Sequence, residues 1–233
     1  MRIAMTIRAA SACWLAFLAA AALGADQPKA IFLFNGKDLT GWKKATSKAT
    51  GQWQSGQPVL DPANPAKLKI AGPGDALVSL EKSPNLISEA SFSDCLLEFE
   101  FMVPKKSNSG VKLMSLYEIQ IFDSFGKAVP GKGDCGAVYD ENPPKVNACK
   151  PPGEWQTFVI DFRAPRFDAA GKKISNARFV KVTLNGQVVQ DNVELDHGTN
   201  VGRSKPEFPA APLLLQGDHG PVAFRNLKLT PLN

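Results

Sequence analysis

Apolar and polar side chains alternate along much of this chain, and the period is that of a strand. From Cys95 to Val103, Leu97, Phe99 and Phe101 alternate with Glu98, Glu100 and Met102. Val111 to Phe122 is a second strand region, in which Ile119 and Ile121 flank Gln120. Trp155 to Phe162 places Phe158, Ile160 and Phe162 on one face, and Phe179 to Leu184 alternates in the same way. Successive side chains of a strand point to opposite faces, so each segment predicts a half-buried strand. Asn185-Gly186 follows Leu184 directly. Both positions of a tight two-residue hairpin turn need positive φ, which Asn and Gly tolerate best. Val188 to Gln190 completes that hairpin, and Leu213 to Gln216 and Val222 to Leu229 close the chain.

No helical period runs through residues 26–233, and Gly, Pro and Asn separate the strands, so the pattern predicts an all-β fold. Two antiparallel sheets packed as a β-sandwich satisfy it best. The segment from Gly126 to Gly153 is Gly/Pro-rich and not strand-like; loops of that length in a domain are commonly functional. With no repeat or linker in view, residues 26–233 read as one domain.

The first 25 residues follow a different pattern. Arg2 and Arg8 precede an apolar run from Ala9 to Leu23, and Leu23-Gly24-Ala25 supplies small residues ahead of Asp26. This predicts a cleaved signal peptide over residues 1–25, a periplasmic or secreted protein, and no transmembrane segment in the mature chain. The oligomeric state is not fixed by any pattern. An exported setting permits disulfides, and Cys135 and Cys149, which flank Gly136 to Ala148, are the favoured pair. Cys95 reads as a buried thiol within a strand.

Composition is ordinary for a globular protein, 44% hydrophobic and 21% charged. The net charge is +5, but Lys and Arg are scattered among Asp and Glu. Nucleic-acid binding normally needs clustered base, so no nucleic-acid partner is expected. A phosphate-binding Gly loop, a GxSxG elbow and CxxC or HxxxH zinc spacing are all missing. No cofactor is predicted; carboxylates at a cleft leave a divalent metal open, although calcium-loop spacing is also missing.

Three groups of residues remain as candidate chemistry. Glu118 and Gln120 share one face of a strand, with Asn108 upstream; a bulge near Phe122 would bring Asp123 beside Gln120. Gln216-Gly217-Asp218-His219-Gly220 follows an apolar strand and leads to Phe224-Arg225-Asn226. Histidine titrates near neutrality and serves as acid or base, and arginine grips oxyanions with a fork of donors. Trp42, Trp53 and Trp155 either stack on sugar rings or fill the core.

Phe34-Asn35-Gly36-Lys37-Asp38-Leu39-Thr40-Gly41-Trp42, Asn108-Ser109-Gly110, Tyr117-Glu118-Ile119-Gln120-Ile121-Phe122-Asp123, Pro151-Pro152-Gly153-Glu154-Trp155 and Leu215-Gln216-Gly217-Asp218-His219-Gly220, in this order, resemble the 3-keto-disaccharide hydrolase domain family. The resemblance runs from about Ile31 to Leu232. Gly217 departs from it, since the family more often runs Gln-Asp-His. It implies a concanavalin-like jelly roll and cleavage of 3-keto-glycosides, so the expected partner is a small carbohydrate. A ketone at carbon 3 acidifies the carbon-2 hydrogen, so elimination followed by hydration needs a base, a donor to the enolate and an acid. His219 or Glu118 is the expected base, Arg225 the enolate donor, and Asp123 or Glu118 the acid; Asn108, Gln120, Trp155 and Gln216 would hold the sugar. Two other readings stay open. One is a retaining glucanase, whose Glu-x-Asp-x-x-Glu frame is echoed by Glu118-x-Gln120-x-x-Asp123. The other is a carbohydrate-binding module that has the cleft without the chemistry.

Overall fold

The computed structural model describes residues 29–232. The expected signal peptide lies outside the described residues. Strands are numbered in chain order. One sheet runs β15 (Gln187–Leu195), β14 (Ala177–Leu184), β11 (Gln156–Arg163), β8 (Cys95–Met102), β17 (Val222–Pro231), β6 (Ala76–Ser79) and β3 (Trp53–Gly56), with β1 (Ile31–Phe32) also paired to β17. The other runs β10 (Tyr117–Phe122), β9 (Asn108–Leu113), β16 (Ala211–Leu215), β7 (Leu86–Phe92) and β2 (Trp42–Lys44). Two small ribbons, β4 (Pro58–Asp61) with β5 (Asn64–Ile70) and β12 (Arg166–Phe167) with β13 (Lys173–Ser175), lie apart from these sheets. Pairing in both large sheets is antiparallel. A single 3-10 turn at Asn200–Gly202 is the helix content of the described residues. The fold is thus an all-β jelly-roll sandwich, as the alternation predicts, and no described helix is long and apolar enough to cross a membrane.

Its core is the set of residues that alternation turns inward. Phe99, Phe101, Phe158, Phe162, Phe179 and Phe224 from the larger sheet meet Leu86, Val111, Tyr117, Ile119, Ile121 and Leu215 from the smaller. Phe101 stacks on Phe158 with ring centroids 5.2 Å apart. Each buried ring of this kind contributes roughly 1.5–3 kcal/mol. Trp42 and Trp53 belong to this core, and their indole N–H groups donate to the Leu33 and Pro84 carbonyls at 2.6 and 2.7 Å. The Asn185-Gly186 hairpin forms with positive φ at both residues, 51° and 81°.

Two features depart from the sequence pattern. Val111 to Phe122 is not one strand region but the inner part of a hairpin that turns at Met114 and Ser115, both with positive φ. The hairpin sets β9 against β10 in regular register, Glu118 opposite Lys112 and Gln120 opposite Gly110. Second, the Gly/Pro-rich loop covers the outer edge of β10. Gln120 N–H donates to the Ala137 carbonyl (3.0 Å), Gly136 N–H to the Gln120 carbonyl (2.9 Å) and Tyr139 N–H to the Glu118 carbonyl (3.1 Å). An open strand edge invites pairing with another chain, and the loop blocks it.

Candidate functional site

Because Tyr117, Ile119 and Ile121 point into the core, Glu118 and Gln120 must stand on the outer face of the five-stranded sheet. The register adds Lys112, Gly110 and Asn108 from β9 to the same face. Gln216 joins them at the end of β16, its N–H bonded to the Gly110 carbonyl at 2.9 Å. Gln120 Nε2 donates to Asn108 Oδ1 and to the Gly133 carbonyl, both at 3.2 Å.

Glu118 sits on the floor of this polar row, 2% exposed, with Lys112 Nζ 2.7 Å from its Oε2. Burial pushes its carboxyl above the ordinary range, and the pull of Lys112 does not cancel that. Asp218 and His219 are close enough for their charges to act on it as well. Room for the Glu118 carboxylate exists because residue 110 is glycine: a Cβ there would collide with Glu118 Oε1.

His219 stands at the rim, its side chain 51% exposed, with Nδ1 2.6 Å from Asp218 Oδ1. Asp218 is held in turn by Asn85, whose Nδ2 donates to Asp218 Oδ2 at 3.3 Å. Asn85 Oδ1 accepts from the Gly217 N–H at 2.7 Å and the Asp218 N–H at 3.3 Å. An imidazole whose Nδ1–H is taken by a carboxylate presents Nε2 as an acceptor. Gly217 makes the turn possible, because a Cβ there would lie 2.6 Å from the Trp53 ring and 2.9 Å from the Ser83 carbonyl.

The structure thus brings together Asn108, Gln120, Glu118, Gln216 and His219, and separates three other expected residues from them. No bulge interrupts β10, and Asp123 turns away to accept the Lys106 N–H at 2.8 Å. It lies five positions beyond Glu118, about 17 Å at the usual strand rise. That is far beyond the roughly 5.5 Å of a retaining carboxylate pair. Arg225 lies on β17 of the other sheet, beside the inward Phe224, and so faces outward from the opposite side of the sandwich. There its Nε donates to Glu100 Oε2 at 3.0 Å and its guanidinium covers the Trp155 ring at 4.1 Å. Trp155 is therefore also remote from Glu118. Lys112 and Asn85 went unrecognised in the sequence. The hairpin register could have found Lys112, since a turn at 114–115 places it opposite Glu118. Nothing local marks Asn85, which meets Asp218 across 133 residues.

Residues 29–230 match the family described as the 3-keto-alpha-glucoside-1,2-lyase-like domain. The chain belongs to that family. Crystal structures of three candidate glycosyl hydrolases from Parabacteroides distasonis are similar to this chain. The first is 26% identical with a TM-score of 0.65, covering 87% of this chain and 84% of that one. The second is 18% identical, TM-score 0.57, with 88% and 94% covered, and the third 22% identical, TM-score 0.55, with 88% and 100% covered. The latter two speak to fold alone. No curated protein matches the chain. Family and first structure together class the protein, coarsely, as a carbohydrate-active enzyme.

Proposed function

We propose that the protein is an exported enzyme that cleaves 3-keto-glycosides by elimination and hydration on the outer face of the five-stranded sheet. The observation that carries this reading is the convergence of a buried Lys112–Glu118 ion pair and an Asn85–Asp218–His219 relay on one polar row. Elimination from a 3-keto sugar needs a base beside carbon 2, positive charge for the enolate oxygen and a proton for the departing oxygen. His219 Nε2 takes the carbon-2 proton, with Asp218 fixing the imidazole and stabilising it once protonated. The carbon–hydrogen electrons move into the carbon 2–carbon 3 bond and charge the carbon-3 oxygen, which the Lys112 ammonium stabilises. Those electrons then return to form the carbon 1–carbon 2 double bond as the carbon-1 oxygen leaves. Glu118, whose buried carboxyl holds a proton more readily than an exposed one, supplies the proton to that oxygen. Water adds to carbon 1 of the resulting enone, returning a proton to carbon 2. Asn108, Gln120 and Gln216 offer amides to sugar hydroxyls.

Running the reaction in deuterium oxide tests this route. The purified protein is given a 3-keto-disaccharide and, separately, the unoxidised parent. Turnover of the keto form alone, with deuterium at carbon 2 of the product, is expected. Hydrolysis of the parent without carbon-2 label would overturn the proposal in favour of direct glycoside hydrolysis. Saturable sugar binding with no turnover would overturn it in favour of a binding module.

A further inference from the structure

The loop that covers β10 also gathers two cysteines. Cys135 N–H donates to Ser124 Oγ at 3.0 Å. Asn147 Nδ2 donates to the Ser124 carbonyl at 2.6 Å, and its Oδ1 accepts from the Cys149 N–H at 3.2 Å. Both ends of the 135–149 segment are thereby pinned to Ser124, and the two thiols are near enough to perturb each other's ionisation. Cys135 is buried and Cys149 half-buried, whereas Cys95 is buried at the start of β8 in the other sheet. The segment between the pair holds the Gly136 and Tyr139 amides and the Ala137 carbonyl that bind the backbone of Gln120 and Glu118.

We propose that Cys135 and Cys149 form a disulfide that locks this loop against the strand carrying Glu118 and Gln120. The oxidant is an external disulfide such as oxidised glutathione. Cys149 is the partner an oxidant can reach, and the neighbouring Cys135 thiol favours its thiolate. The Cys149 thiolate attacks one sulfur of the external disulfide, forming a mixed disulfide and releasing one thiol. The buried Cys135 sulfur then displaces the second, losing its proton. Two protein thiols are oxidised and one external disulfide is reduced to two thiols. Because the ring closes within the chain, it restricts the unfolded state as well as the loop.

The test equilibrates the purified protein with oxidised glutathione, alkylates it in denaturant and maps the cysteine peptides by mass. The expected result is a Cys135–Cys149 link with Cys95 alkylated. Reduction should lower Tm by roughly 5–10 °C and speed hydrogen exchange at the Gln120, Gly136 and Tyr139 amides. Cys149→Ser should respond to neither reagent. Alkylation of both Cys135 and Cys149 after oxidation, or a link through Cys95, would overturn the pairing. A link that leaves exchange at those three amides unchanged on reduction would overturn the locking role.

Discussion

The two outer faces of this sandwich carry similar residue types and have opposite physical characters. On the eight-stranded sheet, Glu100 accepts from Arg225 Nε, Arg225 Nη2 and Asn226 Nδ2, and Arg225 also covers Trp155. Burial works against the Glu100 charge, but those hydrogen bonds and the Arg225 charge bring its carboxyl below the ordinary range. On the five-stranded sheet, burial of Glu118 outweighs Lys112, and its carboxyl is held above that range. A cluster whose donors and acceptors are all spent on one another is stable and chemically idle. A cluster that holds a carboxyl above its ordinary range and offers an oriented imidazole at its rim is poised for proton transfer. Polar alternation on a strand locates a face, while the balance of desolvation against pairing says what the face is for.

His219→Ala should cost on the order of 100-fold or more in kcat/KM on a 3-keto-glycoside, with little change in unfolding free energy because the side chain is half-exposed. Arg225→Ala, on the opposite face, should leave kcat/KM within a few-fold of wild type. If the Arg225 variant loses as much activity as the His219 variant, the two faces are not functionally distinct.

Next in size is the glycine opposite Gln120. Gly110→Ala puts a methyl group where Glu118 Oε1 lies, so the carboxylate must shift away from Lys112. Displacements of about 1 Å at a reacting group can cost up to about 100-fold, so a fall of roughly 10–100-fold in kcat is expected. Overpacking of this kind also costs about 1–3 kcal/mol of stability. Steady-state kinetics beside urea unfolding separates the two effects, and full activity in a destabilised variant would show that Glu118 placement does not matter.

These variants also mark where the sequence was legible. Alternation identified most strands from Cys95 onward, though it ran β9 and β10 together and passed over β12 and β13, and it identified the shared face of Glu118 and Gln120, because inward and outward positions are a local property of β structure. It did not identify the strands before Cys95; the Trp42-Lys43-Lys44 segment of β2 is too brief to alternate, and Asn64–Ile70 and Leu86–Phe92 lack a sustained apolar alternation. Nor could it separate His219 from Arg225. Six residues apart, they lie on opposite sides because the chain crosses from β16 in one sheet to β17 in the other between them. A sandwich core is about 10 Å thick, a distance the 216–221 turn spans easily. Sheet membership is settled by partners far away in sequence, such as the pairing of Arg225 with Glu100 and of Leu215 with Val111. Asp123 was misplaced for a nearer reason: the expected bulge is missing, and the Lys106 amide captures its carboxylate instead.

A smaller effect sharpens the contrast on the idle face. Arg225→Ala strips Glu100 of its two guanidinium bonds and Trp155 of its stacked cation. The pair is partly solvated, so screening reduces its worth, and a loss of about 1–2 kcal/mol is expected in denaturant unfolding. No measurable loss would mean that solvent replaces the pair at no cost, and the idle face would then lack its structural role too.

The smallest effect is a dependence of stability on pH with opposite sign for the two carboxyls. Glu118 has its folded value raised, so the unfolded chain loses that proton first as pH climbs. Stability from this group therefore declines from the ordinary carboxylate range up to the raised folded value and is level above it. Glu100 has its folded value lowered, so its contribution is present above the ordinary range and disappears as pH falls through the folded value. Asp94 and Asp134 are lowered too, burial opposing and hydrogen bonds prevailing, and they add to the acid-side loss. The decline above the ordinary range is thus the more diagnostic part. Lys112, Asp218 and His219 are the charges that bear on it. Unfolding free energies measured across pH should show that decline, on the order of 1 kcal/mol per unit of raised pKa. Glu118→Gln, which carries no titrating proton at this site, should flatten it. Should the decline persist in Glu118→Gln, another group is its source, and Glu118 is paired as fully as Glu100.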